Sequence, residues 1–191
     1  MNWKKSLYAT LAAAFVAAPV YAHTGPIAEG LSSGLLHPFL GLDHLLALLT
    51  VGVLAVRPSE SMRWFLPLTF AGVMALGALV GMMNPGPSNV EFAVAGSVVL
   101  LGALLIWGRQ FNSIMLVFLV ALSALMHGQV HGAEASGAWF SYLGGMTVST
   151  LFLHLCGVFL GTLLVRRSET SLRLYGAATL SLGLALCVGL V

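Results

Sequence analysis

The feature that most constrains this chain is a succession of long apolar stretches with short connections between them. A helix needs about 20 apolar residues to cross a bilayer. Six such stretches follow one another, at about 31–56, 62–82, 91–108, 111–131, 138–165 and 171–190. Each is continuously apolar rather than alternating at a period of two, which favours helices over a barrel. The sequence therefore predicts an all-α, polytopic membrane bundle of six transmembrane helices.

Charged residues are too scarce for a soluble protein. Only 7% of the 191 residues are Asp, Glu, Lys or Arg, against about 25% in an ordinary soluble domain. The net charge of +2 is too small and too scattered for a nucleic-acid surface, so the expected partner is the lipid bilayer. Both lysines, Lys4 and Lys5, precede the first stretch, which excludes a phosphate-binding loop and lysine Schiff-base chemistry elsewhere.

The first 22 residues have the pattern of a secretory leader. Two lysines precede an apolar run that ends in the letters VYA, the small-x-small pattern of a signal-peptidase site. We predict a cleaved signal peptide at 1–22 and a single six-span domain at 23–191, with an uncleaved first span as the alternative. Cleavage after Ala22 makes His23 the first residue, which then offers a metal both its free amine and its imidazole.

The arginines orient the predicted bundle. They all fall in or beside the first, third and fifth connections, as Arg57, Arg63, Arg109, Arg166, Arg167 and Arg173, and the opposite side carries none. The positive-inside rule places these connections in the cytoplasm and both mature termini outside.

A first group of ionisable residues lies in the outer half of span one. An ionisable side chain within a bilayer costs roughly 2.5–3.5 kcal/mol, so each one is a candidate functional residue. The group is His37, Asp43 and His44. The histidines are seven positions apart, which puts them on one face of a straight helix with Asp43 beside them. Pro38 suits the first position of a helix, which predicts a broken or late-starting helix with His37 as its cap.

A second group ends span four. His127, His131 and Glu134 line one helix face at spacings of four and three, and two imidazoles with a carboxylate form a metal-binding edge. Gly128 and Gly132 form a strip that lets another helix approach closely. Capping, packing and hydrogen bonds between helices are the alternative roles for both groups.

The directions of the spans bring the two groups to one depth. Span one runs inward and span four runs outward, so both groups are predicted in the outer half, with His23 on the same side. His154 in span five lies deeper, with Thr147 and Thr150 on its face. Two roles are open for His154. It is either a structural histidine bonded to a neighbouring helix or the next binding position, further inward, for a conducted ion.

Imidazole nitrogen with carboxylate oxygen suits Ni(II), Co(II), Zn(II) or Cu(II), and ligand type alone does not choose among them. An inward membrane potential supplies about 4.6 kcal/mol per 100 mV to a dication, so uptake of such an ion needs no nucleotide.

No tightly bound cofactor is expected, because the metal ion is expected to be transported and not retained. A bis-histidine haem protein is the alternative function, and a zinc-dependent intramembrane hydrolase is a further one, although the His-Glu-x-x-His order is missing.

The two groups, the leader and the six spans resemble the HupE/UreJ family of hydrogenase- and urease-associated nickel permeases. The resemblance covers the whole mature chain, and it implies a bacterial inner-membrane secondary transporter, not an enzyme. It implies import of Ni²⁺ for metalloenzyme maturation, with some relatives assigned to cobalt. The positions that match its motifs are His37, Asp43, His44, His127, His131 and Glu134.

The other matches to the family pattern, and the departures from it, each concern a single residue. His154 matches a histidine often seen in the fifth span, and His23 matches the histidine-led N-termini of many members. Met126 and Val130 stand where the family commonly has Phe and Ala, and neither change removes a ligand. Glycine-rich strips are compatible with internal packing or with a homo-oligomer.

Overall fold

The protein is an all-helical bundle in the computed structural model, which describes residues 30–56, 61–84, 90–107, 110–135 and 138–190. These residues form seven helices, which are α1 (Gly30–Leu40), α2 (Leu42–Ala55), α3 (Met62–Met83), α4 (Val90–Trp107), α5 (Ser113–Glu134), α6 (Trp139–Arg167) and α7 (Glu169–Cys187). The predicted all-α class is confirmed. The predicted leader at 1–22 and His23 lie outside the described residues.

The helices have the length and polarity of membrane spans. Three of them, α3, α5 and α6, are long and apolar enough to cross a bilayer, and α1 with α2 passes the same test as one bent span. Part of α4 forms a shorter apolar helix. Large apolar side chains such as Leu68, Phe118 and Phe140 are exposed, whereas the described histidines are buried. This inverted polarity fits a multi-pass membrane protein, and the count of six spans remains a prediction.

The first span is broken at one residue. Gly41 adopts an extended backbone (φ −107°, ψ 128°) and caps α2, and its carbonyl accepts the bond from the Leu45 backbone N–H at 3.0 Å. The axes of α1 and α2 differ by 82° across this break. The predicted break therefore exists, but the predicted position is wrong. Pro38 lies inside α1, so His37 is a helical residue and not a cap.

Glycines set the closest helix contacts. A Cβ on Gly128 would collide with the Met74 backbone, and one on Gly132 would collide with the Ala78 backbone. The predicted glycine strip on α5 is thus confirmed, with α3 as the helix that approaches it.

The order of the contacts along each pair gives the relative helix directions. Met74 and Ala78 meet Gly128 and Gly132 in the same order, so α3 and α5 run parallel. The contacts of Gly157 with Leu49 and of Gly161 with Val53 make α2 and α6 parallel, and those of Gly183 with Val99 and Gly176 with Leu105 make α4 and α7 antiparallel. All three relations agree with a chain that alternates direction from span to span. The C-terminal half of α5 accordingly lies beside the break between α1 and α2.

Candidate metal site

Three buried histidines from three helices meet at the break. His37 of α1, His44 of α2 and His131 of α5 each offer a ring nitrogen, and these three atoms lie within 4.8 Å of one another. The ring centroids are 5.1 Å apart for His37 and His44, 4.7 Å for His37 and His131, and 4.5 Å for His44 and His131. The predicted convergence of the two motifs is therefore present in the structure.

The bend, rather than a shared helix face, brings His37 to His44. Seven residues of a straight helix separate two side chains by about 10.5 Å along the axis, twice the 5.1 Å between these ring centroids. The 82° turn at Gly41 folds α1 back towards α2 and removes that separation. The expected pairing was correct, but the straight-helix geometry given for it was wrong.

Asp43 orients His44. The Asp43 Oδ1 atom lies 2.7 Å from His44 Nδ1 and also accepts the His44 backbone N–H at 2.8 Å. Because an ionised carboxylate only accepts hydrogen bonds, Nδ1 carries the ring proton and Nε2 carries the lone pair. This carboxylate–histidine arrangement is the usual support for a metal-binding imidazole. Asp43 therefore acts on the site through His44.

The two facing ring nitrogens are spaced like neighbouring metal ligands. His44 Nε2 lies 2.8 Å from His131 Nε2. Two nitrogens each about 2.0–2.1 Å from one ion would be about 2.9 Å apart at a right angle. With the lone pair on His44 Nε2, the contact is a hydrogen bond only when His131 Nε2 carries the proton. An ion bound between these nitrogens must displace that proton.

His127 extends the cluster one helical turn down α5. Its ring centroid is 5.4 Å from that of His44. His127 Nδ1 lies 3.0 Å from the Ser123 carbonyl, to which it donates, and 3.2 Å from Ser97 Oγ. The Ser97 hydroxyl donates to the Val94 carbonyl at 2.7 Å, so its oxygen can accept from the imidazole. This tautomer places the lone pair of His127 on Nε2, as in His44.

His154 is separate from the histidine cluster. The Phe70 ring stands between them, with its centroid 5.7 Å from that of His127 and 5.3 Å from that of His154. The neighbouring hydroxyls of α6 bond elsewhere, Thr147 to the Leu143 carbonyl and Thr150 to the Met74 sulfur. Metal binding by His154 remains a prediction.

The predicted ligand Glu134 is described only in its backbone. Glu134 is the last residue of α5, one turn after His131, but its side chain lies outside the described part of the structure. Three contributors were missed: Ser97 beside His127, Phe70 beneath it, and Tyr142, whose ring centroid is 5.7 Å from that of His37. In the sequence, Ser97 could have been noticed only as a hydroxyl inside an apolar span. No sequence pattern indicated Phe70 or Tyr142 as part of the site.

Comparison with known sequences identifies the family. The profile described as HupE / UreJ protein matches residues 11–186. The chain belongs to the HupE/UreJ family. It is 35% identical over 187 residues to Protein HupE of Rhizobium leguminosarum bv. viciae, covering 94% of this chain and 96% of that protein. No solved structure matches significantly. The sequence resemblance to HupE/UreJ is thus confirmed.

Proposed function

We propose that this HupE/UreJ protein is a secondary transporter that imports Ni²⁺, with Co²⁺ as the other candidate ion, across the bacterial inner membrane. The observation that carries the proposal is the meeting of His37, His44 and His131 at the break in the first span. Burying three imidazoles in a membrane bundle costs free energy, so we expect a function that requires them. Transport of a cation through the bundle is such a function, and it agrees with a family of nickel and cobalt permeases.

In this proposal the ion first binds the three imidazoles, while Asp43 holds His44 with its Nε2 atom inward. His127 takes the next position, and Glu134 and His23 remain ligands predicted from the sequence. Ligands held by a bend and a separate helix can move apart, as release of the ion requires. The membrane potential favours inward movement by about 4.6 kcal/mol per 100 mV for a dication. The ion supplies hydrogenase or urease maturation, and the protein acts as a transporter and not as an enzyme.

The alternative, a bis-histidine haem protein, fits this geometry less well. Two imidazoles on opposite sides of one iron would place their nitrogens about 4 Å apart, at about 2 Å each from the metal. His44 Nε2 and His131 Nε2 lie 2.8 Å apart, which is the spacing of adjacent ligands. The arrangement therefore favours a small ion held between neighbouring nitrogens.

The test is uptake of radioactive Ni²⁺ by cells that produce the full chain. We expect His131→Ala and His44→Ala each to lower uptake to the level of cells without the protein. Gln129→Ala, a polar-to-alanine change on the same helix, is the matched control and keeps uptake. Wild-type uptake in both histidine variants at equal protein levels would eliminate the proposal. Competition by Co²⁺ measures which ion is preferred.

A further inference from the structure

Helix α6 contacts both parts of the bent first span. A Cβ on Gly34 of α1 would collide with the Tyr142 carbonyl of α6, and a Cβ on Gly52 of α2 would collide with the His154 carbonyl of the same helix. The backbones of α1 and α2 therefore both lie directly against α6, although their axes differ by 82°. Helix α6 thus runs past the break and supports the helix on each side of it.

A series of buried residues on α6, spaced four positions apart, runs along this contact. Residues at this spacing lie on one face of a helix. The series is Gly145, Ser149, Leu153, Gly157 and Gly161. Gly145 approaches the α1 backbone at Leu31, and Gly157 approaches the α2 backbone at Leu49. Ser149 is the polar member of the series, and it lies one turn after the glycine that meets α1.

Ser149 joins α6 to α1 by a hydrogen bond. Its side chain is buried, and its hydroxyl donates to the Leu35 carbonyl of α1 at 2.6 Å. A hydroxyl inside a helix commonly donates to a carbonyl one turn earlier in its own helix, as Thr147 does to Leu143 at 2.8 Å. Ser149 donates to a different helix instead. Hydroxyl bonds of this kind hold membrane helices together.

The bond lies beside a weakened turn of α1 that carries a metal-site histidine. Pro38 lies inside α1 and has no backbone N–H, so the helical bond to the Gly34 carbonyl one turn earlier is missing. The Leu35 carbonyl that accepts from α6 is the next one along the chain. His37 follows two residues later, and its ring meets that of Tyr142 of α6 edge to face at 5.7 Å. Both contacts of α6 therefore act on the part of α1 that holds His37.

We infer that Ser149 is a positioning residue for the metal site. Its hydroxyl holds the last two turns of α1 on α6 and thereby places His37 beside the other two imidazoles. Gly41 has an extended backbone, so α1 and α2 are not one continuous helix, and the position of His37 depends on what α1 packs against. This role rests on the metal site of the proposed function, but it concerns ion binding and not transport.

A double-mutant cycle tests whether Ser149 acts through His37. Isothermal titration of the purified full chain with Ni²⁺ measures the Kd of each variant. Ser149→Ala should raise the Kd by about three- to tenfold, the range expected for one hydroxyl bond between membrane helices. In a His37→Ala background the same change should alter the Kd by less than about twofold. Equal increases in the two backgrounds would overturn the inference, because they would show a general effect on the bundle. Thr162→Ala is the matched control and should leave the Kd unchanged, since this hydroxyl bonds within α6 to the Val158 carbonyl at 2.8 Å.

Hydrogen exchange in the metal-free protein tests the same bond without the ion. Ser149→Ala should speed amide exchange in α1 by about three- to tenfold and leave exchange in α5 within about twofold, because the lost bond holds α1 and not α5. Thr162→Ala should leave exchange in α1 unchanged. Exchange in α1 that is equally slow in Ser149→Ala and in the wild-type chain would overturn the role of Ser149. Absence of Ni²⁺ binding by the wild-type chain would instead count against the proposed function, so the two failures are distinguishable.

Discussion

Replacing Asp43 by asparagine tests how the site is preorganised. Asp43→Asn keeps the size of the side chain and removes only its charge. The short bond from His44 Nδ1, at 2.7 Å, then becomes a neutral one, about half as strong as the charge-assisted bond. The amide can also turn its NH₂ group towards the ring, which would favour the tautomer with the proton on Nε2. His44 would then face His131 with a donor in place of a lone pair.

The expected loss is one of affinity for the ion. Changes to the group that orients a metal-binding histidine typically cost 10- to 100-fold in metal affinity, or about 1.4–2.7 kcal/mol. Burial places Asp43 towards the upper end of this range, because its side chain is only 7% exposed and bulk solvent does little to screen the carboxylate. We therefore expect the Kd for Ni²⁺ to rise by close to 100-fold.

Isothermal titration of the purified full chain with Ni²⁺ measures this change. Glu169→Gln is the matched control, since it makes the same chemical change in an exposed carboxylate that lies 3.7 Å from Arg173 Nε. That variant should leave the Kd within about twofold, as expected of a surface ion pair remote from the site. A Kd for Asp43→Asn that is also within twofold would refute the role assigned to Asp43.

Other contacts around the site give separate expectations. Ser97→Ala should raise the Ni²⁺ Kd by about two- to tenfold, because the Ser123 carbonyl still accepts from His127, and an unchanged Kd would contradict this. Gly132→Ala should lower thermal stability by about 1–3 kcal/mol because a Cβ collides with α3. Gly144→Ala, where a Cβ meets open space, should raise stability by about 0.5–1 kcal/mol, so equal shifts in Tm would argue against close packing. Phe70→Leu should change the rate of Ni²⁺ uptake and leave the Kd unchanged, and the reverse pattern would contradict its placement outside the ligand group.

The helices themselves were largely predictable from sequence. The stretch predicted at 62–82 forms α3 at Met62–Met83, and the stretch at 138–165 forms α6 at Trp139–Arg167. Apolar length constrains a membrane helix strongly, since its backbone must satisfy its own hydrogen bonds. Relative direction was predictable too, because each short connection reverses the chain. That alternation places the end of α5 beside the start of the first span.

The local shape of the site was less predictable. The spacing of His37 and His44 was interpreted on a straight helix, and no pattern in the sequence specifies an 82° turn at Gly41. A proline three residues earlier suggested a break, but its ring is accommodated inside α1. Ser97 reaches His127 from α4, a contact between helices that spacing along one helix cannot reveal. Side chains that join a site from another helix are visible only once the packing is known.

The break also determines the electrostatic potential at the site, because it brings the ends of helices close to the three imidazoles. It places the N-terminus of α2, equivalent to about +0.5 charge, beside the three imidazoles. That charge alone disfavours a cation. Asp43 in the first turn of α2 contributes −1. The C-terminal ends of α1, where His37 lies, and of α5, where His131 lies, contribute about −0.5 each. These contributions come to about −1.5 around neutral ligands. A dication is therefore attracted but only partly neutralised, which suits the release of the ion that the proposed transport requires.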